Sequence, residues 1–213
     1  MRSFKSFWQV ILSLVLITAL SSCGILRVPT YGFWEKRVDV EPISRAVITY
    51  ANKMRVEKSL RFEDSQIFYS DYAEVIRIIF STQLILELKE TRELVVDLVE
   101  GLLQELNSDP IITTQFQAGM VRPENIELYI GFESYFCEYV DQMNMGWVSM
   151  YDGIVRFYSA TLKDFRKDYW HDRTEPYYKS RQFVIYDREA KASYNAINPP
   201  GKEQLPVYDA LIQ

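Results

Sequence analysis

The sequence predicts an α+β domain, with amphipathic helices packed on a small antiparallel sheet that includes a β-hairpin. Three observations carry this. In the first half, apolar residues recur at helical spacing, at Ile43, Val47, Tyr50 and Met54, and again at Leu94, Val95, Leu98, Leu102 and Leu106. Further on the period drops to two, with Ile126, Leu128, Ile130 and Phe132 alternating with Glu127, Tyr129 and Gly131. Finally, Asp152-Gly153 separates Trp147–Tyr151 from Ile154–Tyr158, and that dipeptide suits a two-residue hairpin turn needing positive φ. Helices followed by antiparallel strands make the α+β class.

Taken in order, the first helix spans 42–58, with Pro42 in its opening turn and Arg45, Asn52, Lys53 and Arg55 on its polar side. Residues 60–69 read as a short strand pair around Asp64-Ser65. Residues 71–107 are expected to be mostly helical, broken near Ser81 or Lys89, with Asp71 and Glu74 as a capping box. The alternation of Ile76, Ile78 and Phe80 keeps a strand open as the other reading of 71–90. Asn107-Ser108-Asp109-Pro110 ends that helix. In the hairpin, Val148 and Met150 share a face with Val155 and Phe157, while Trp147, Tyr151, Ile154 and Tyr158 take the other. A final helix is expected over 175–192, and Pro199-Pro200-Gly201 opens an irregular tail. There is no internal repeat.

The N-terminus has its own logic. Arg2 and Lys5 precede an apolar run from Phe7 to Leu20, interrupted only by Gln9, Ser13 and Thr18. That run is short of the roughly 20 residues a spanning helix needs, and is the length of an export signal. It ends in Leu20-Ser21-Ser22-Cys23-Gly24, which resembles the bacterial lipobox: an aliphatic residue, two small residues that admit the peptidase, and a thiol that accepts diacylglycerol. The resemblance implies a signal peptide over 1–22 and lipidation of Cys23. Residues 23–40 then form the lipidated cysteine and its tether, and 41–213 a single globular domain. It places the chain in the cell envelope, lipid-anchored on the periplasmic side or at the cell surface. Two lipid chains hold a protein stably, since each buried methylene contributes about 0.8 kcal/mol.

Bulk properties fit such a domain. Aromatic residues make up 15% of the chain, which favours a packed core over disorder. The net charge of −5 becomes −7 once Arg2 and Lys5 are removed, and no basic run remains to engage phosphates, so nucleic acid is not an expected partner. With Cys23 lipidated, Cys137 has no partner in the chain, and its flanks Tyr135, Phe136 and Tyr139 suit a buried, inert thiol. The stretch from Glu90-Thr91-Arg92-Glu93-Leu94-Val95-Val96-Asp97-Leu98-Val99 through Ile126-Glu127-Leu128-Tyr129-Ile130 resembles uncharacterised lipoproteins of chlamydia-like bacteria. That family implies no activity.

Chemistry-bearing motifs are sparse. There is no G-x-G, no C-x-x-C and no H-E-x-x-H, and His171 is the sole histidine, so a site built on two imidazoles is excluded. No cofactor, metal or catalytic residue is expected. The sharpest cluster is Asp164, Asp168, His171, Asp172 and Glu175; on a helix, Asp164, Asp168, His171 and Glu175 would share a face. Interleaved Arg166, Lys167 and Arg173 instead point to a solvated, charge-balanced segment, and Pro176 disfavours a helix at Glu175. Trp147, Tyr151, Tyr158 and Trp170, with Tyr169, Tyr177 and Tyr178, either form a second core, the favoured reading, or present rings to a partner. Trp147, Tyr151, Tyr158 and Trp170 are the candidate binding residues. The expected function is a non-enzymatic binding or structural domain meeting an envelope protein or glycan. The alternative is a periplasmic hydrolase of cell-wall or glycan material.

Overall fold

The structure is a computed structural model that describes residues 38–133, 144–163 and 166–198, with side chains described for all of these except 160–163 and 166–170. Cys23 and Cys137 lie outside the described residues. The element order is α1 (Val40–Lys58), β1 (Arg61–Tyr69), β2 (Ala73–Thr82), α2 (Leu88–Ser108), the short α3 (Pro110–Thr113), a 3-10 turn at Pro123–Asn125, β3 (Ile126–Phe132), β4 (Met145–Tyr151), β5 (Ile154–Lys163), β6 (Arg166–Pro176) and α4 (Tyr177–Ile197). The α+β architecture expected from the sequence is the one observed.

The strands form one six-stranded sheet in sequential order β1-β2-β3-β4-β5-β6. Every pairing is antiparallel except β2 with β3, which are parallel and joined by the crossover through α2. A parallel pair needs a long connection, and the α2 segment supplies it.

Ile76, Ile78, Phe80, Ile126, Leu128, Ile130, Phe132, Val148, Met150, Val155 and Phe157 are all buried and point to one face. There they join Ile43, Val47, Tyr50 and Met54 of α1 and Leu94, Val95, Leu98, Leu102 and Leu106 of α2 in one core. Each such side chain contributes about 1.5–3 kcal/mol by leaving water. The two helical stripes read from the sequence are the core-facing stripes of α1 and α2. Those helices meet closely at Gly101: a Cβ there would lie 2.7 Å from Tyr50 Oη, whose hydroxyl donates to the Leu98 carbonyl at 2.9 Å. Burial pushes the Tyr50 phenol's pKa up, with the charges of Asp97 and others adding to it.

Three expectations are corrected. Residues 73–82 are strand β2 rather than helix, because their alternation is satisfied by two neighbours at once, β1 on one side and β3 on the other. Asp71 and Glu74 therefore cap nothing. The Glu74 carboxylate accepts from Ser70 Oγ at 2.5 Å, and the helix starts at Leu88, where Glu90 Oε2 accepts from the Glu87 N–H at 3.1 Å. Residues 61–69 are one strand, with a bulge at Glu63 that restores register between Phe62 and Asp64. Residues 166–176 are also strand, so the last helix runs 177–197 instead of 175–192. Pro176 closes β6 and leads into α4, since its missing N–H is no loss there.

The hairpin is as expected. Asp152 and Gly153 have φ of 50° and 66°, and Val148 pairs with Phe157 and Met150 with Val155. Two consecutive positive φ values match a turn whose twist agrees with that of the flanking strands.

Candidate functional site

Strand alternation sends the remaining side chains to the opposite, outer face of the sheet. Its middle carries Arg77 from β2, Glu127 and Tyr129 from β3, Trp147 and Tyr151 from β4, and Arg156 and Tyr158 from β5. Register brings them together: Arg77 lies beside Glu127, Gly131 beside Trp147, and Trp147 beside Tyr158.

Contacts fix this array. Arg77 Nε donates to Glu127 Oε2 at 2.6 Å, and its guanidinium stands 4.7 Å from the Phe68 ring and 5.8 Å from the Tyr129 ring. Gln66 Oε1 accepts from the same guanidinium at 3.2 Å. Glu127 is only 4% exposed, which a lone carboxylate on a sheet face would not tolerate without that partner. The Glu127 hydrogen bond raises the Arg77 pKa, so the cation is fixed. Burial, then the Glu127 charge, raises that of the Tyr129 phenol, which stays protonated as a donor. The rings of Tyr129 and Trp147 lie 6.0 Å apart, tilted by 39°. Gly131 makes room for the indole, because a Cβ there would sit 3.3 Å from Trp147 Cζ3. Farther across, Tyr158 meets the His171 ring edge-on at 5.4 Å.

The aromatic residues singled out in the sequence are thus divided. Trp147 and Tyr158 are half-buried neighbours on the outer face, and Tyr151 is exposed beside the hairpin turn. The backbone of Trp170 pairs with Ser159 at the sheet edge, its side chain and that of Tyr169 lying outside those described. Tyr177 belongs to the core side, where its hydroxyl donates to Glu100 Oε1 at 2.8 Å, and Tyr178 is exposed on α4. A single second core of all seven does not form. Tyr129, Arg77 and Glu127 were missed as site residues; only their odd places in an alternating strand could have marked them.

The acidic cluster does not assemble as it would on a helix. In β6 the chain is extended, so His171 and Glu175 fall on opposite faces across a bulge at Asp172. His171 is exposed, its Nε2 2.7 Å from Thr174 Oγ1, while Asp172 is hydrogen-bonded by Ser159. Asp164 and the side chain of Asp168 lie outside those described. Glu175 turns inward and meets Arg92 of α2 in a bidentate pair at 2.7 and 3.2 Å, with Ser180 Oγ donating at 2.6 Å. Burial alone would raise its pKa, but the Arg92 and Ser180 hydrogen bonds and the charges of Arg92 and Arg173 outweigh it and hold the carboxyl below its usual range. Among the described residues no group of three or more His, Cys, Asp and Glu is placed to hold a metal ion.

Concavities among the described residues also lie away from the aromatic face. One of about 260 Å³ sits beside the Arg92–Glu175 pair, lined by Lys89, Arg92, Arg173 and Phe183 among others, and one of about 690 Å³ lies between the β1–β2 turn and residues 116–125. In the first, Lys89 pairs with Asp187 at 2.5 Å and Arg92 with Glu175, and Arg173 stands 3.5 Å from Glu175, so each of these three cations already faces a carboxylate. Among the described residues no helix is long and apolar enough to cross a membrane. No protein family, curated protein or solved structure matches this chain.

Proposed function

We propose that this chain is a lipid-anchored envelope lipoprotein, processed to begin at Cys23, whose domain is a non-enzymatic module that holds a protein partner against the outer face of its sheet. One observation carries the binding part: Tyr129, Trp147, Tyr151 and Tyr158 share that face with Arg77 and Arg156, on three central strands and their neighbour. Tyr, Trp and Arg are the residues that dominate protein interfaces, because they offer large rigid contact area with a polar end. A sheet face is also broad and shallow, unlike the enclosed clefts that take small molecules.

The hydrolase alternative is less well supported. A general acid needs a carboxyl whose pKa is raised toward neutrality. The two most buried carboxylates described, Glu127 and Glu175, each face a guanidinium, and that of Glu175 moves down.

The anchor is tested by mass spectrometry of the protein from membranes. An acylated N-terminal Cys23 is expected, with Cys23→Ala retaining residues 1–22; an unmodified Cys23 within an intact N-terminal segment refutes it. The face is tested with a photo-cross-linking residue at Tyr151, and another at Tyr178 as control. A protein adduct of one defined mass at Tyr151, lost in Trp147→Ala, is expected. Equal adducts at both positions refute the assignment. Sedimentation with sacculi that depends on Trp147 would replace the protein partner with a glycan, and sacculus hydrolysis lost in Glu175→Gln would restore the hydrolase.

A further inference from the structure

We infer that the outer face holds a carboxylate socket: Ser149 at its floor and Arg156 at its side bind one aspartate or glutamate side chain, set within an apolar stretch of a protein partner. This rests on the binding face proposed above and names the chemistry that face reads. Sheet register builds the socket. Ser149 of β4 stands between Tyr129 of β3 and Arg156 of β5, its direct cross-strand neighbours. Trp147 and Tyr151, two residues to either side on β4, point to the same face. One small side chain is thus ringed by three aromatic residues and a guanidinium, their backbones within about 7 Å of its own by strand geometry.

Two polar groups in the socket are left over by the fold. Ser149 is 8% exposed, and its hydroxyl has no hydrogen-bond partner among the described residues. Nor is that hydroxyl sealed from solvent, since among the described residues Thr91 Oγ1 is the fully covered side-chain polar atom that lacks a partner. Arg156 is half-buried between Ser149 and Thr174, and its guanidinium has no hydrogen bond or ion pair among the described residues. Two other sheltered cations, Arg77 and Arg92, are matched by Glu127 and Glu175. Sheltering a cation without a counter-charge costs stability, as does covering a hydroxyl without a partner. Nothing nearby offsets either cost. Glu127, the carboxylate of this array, lies two strands from Arg156 and is held by Arg77, and the Thr174 hydroxyl is paired with His171 Nε2.

A single carboxylate answers both groups. The guanidinium presents a planar fork of donors to carboxylate oxygens, and the serine hydroxyl donates to a lone pair that the fork leaves free. One uncompensated positive charge matches one negative charge. A phosphate monoester, at about −2 near neutral pH, would leave a charge over on the face of a chain whose own net charge is −5. Tyr129, Trp147, Tyr151 and Tyr158 surround the pair with ring surface. That suits apolar residues on either side of the acid and shields the ion pair from water, as at the centre of an interface hot spot.

The test uses the full chain in detergent micelles, with circular dichroism to check the fold, and pools of randomised heptapeptides whose central residue is fixed as Glu, Gln or phosphoserine. The Glu pool is expected to be retained about ten-fold or more over the Gln pool, the worth of a charge-assisted hydrogen bond. Arg156→Gln is expected to abolish that ratio and Ser149→Ala to reduce it. Arg45→Gln on α1, an exposed residue paired with Glu41, is expected to leave it unchanged. Equal retention of the Glu and Gln pools, lost in Trp147→Ala, overturns the inference and leaves the binding face standing. Retention of neither pool overturns the inference, and together with no Tyr151 adduct it overturns the face as well. A ratio that survives Arg156→Gln places the cation elsewhere and overturns the inference alone. So do a phosphoserine pool held above the Glu pool, sedimentation with sacculi that requires Arg156, and a Tyr151 adduct of twice the chain's mass; these would put a phosphate, a glycan acid or a second copy in the socket.

Discussion

Arg92→Met tests the joint that ties β6 to α2 and α4. The Arg92 and Glu175 side chains are 11% and 3% exposed, so the pair is nearly dry. Removing one partner of such a pair costs about 3–5 kcal/mol, because the survivor stays buried and uncompensated. Ser180 still donates to Glu175, and Arg173 stands 3.5 Å away, which puts Arg92→Met at about 3 kcal/mol, the lower end. For a domain of this size that is a fall of about 6–12 °C in Tm. The double variant Arg92→Met/Glu175→Leu leaves no buried charge and is expected within about 2 kcal/mol of the wild type. Urea denaturation of the wild type, the two single variants and the double variant closes a thermodynamic cycle. Additive losses, with a double variant as damaged as the sum of its singles, would refute the account.

The same cycle carries a pH signature. The Glu175 carboxyl is depressed in the fold, so its contribution is complete above the ordinary glutamate range and is lost as pH falls through the folded value. Asp97 acts in the same direction: burial would raise its pKa, but hydrogen bonds from Arg188 and Lys58 lower it. In Arg92→Met the Arg92 hydrogen bonds and charge that offset burial at Glu175 are gone and only Ser180 and Arg173 oppose it, so less stability is lost on protonation and the deficit of that variant is expected to shrink on acidification. A deficit unchanged from pH 7 to pH 4 would show that Glu175 is not the group left behind.

Other outcomes follow from the same contacts. Gly101→Ala should cost about 1–3 kcal/mol by overpacking, and less on a Tyr50→Phe background, where the hydroxyl 2.7 Å from the new methyl is gone; equal losses in both backgrounds on urea denaturation would place the clash elsewhere. Gly153→Val should cost about 1 kcal/mol or more through its φ of 66°, whereas Asp152→Asn should be nearly silent, since Asn also tolerates positive φ; equal losses from both would mean the turn is held by other forces. His171→Ala should change stability by less than about 1 kcal/mol, because the ring is exposed and its contacts among the described residues are one Thr174 hydroxyl and the Tyr158 edge; a larger shift in Tm would give it a structural role.

What the sequence determined by itself is local. The α1 and α2 stripes, the β3 alternation and the Asp152-Gly153 turn were legible because each rests on a period or on a φ requirement within a few residues. Only tertiary structure decided the rest. Residues 73–82 suit a buried strand or helix equally well until β1 and β3 supply hydrogen-bonding neighbours. Residues 166–176 read as a solvated segment because the partner of Glu175, Arg92, lies 83 positions away, and the backbone pairing of β6 with β5 overrides the polar composition. The outer face was half visible. Trp147, Tyr151 and Tyr158 stood out by residue type, but Arg77, Glu127 and Tyr129 join them only through the parallel pairing of β2 with β3 and the antiparallel pairing of β3 with β4. Register between strands is a property of the assembled sheet, and no window of sequence contains it.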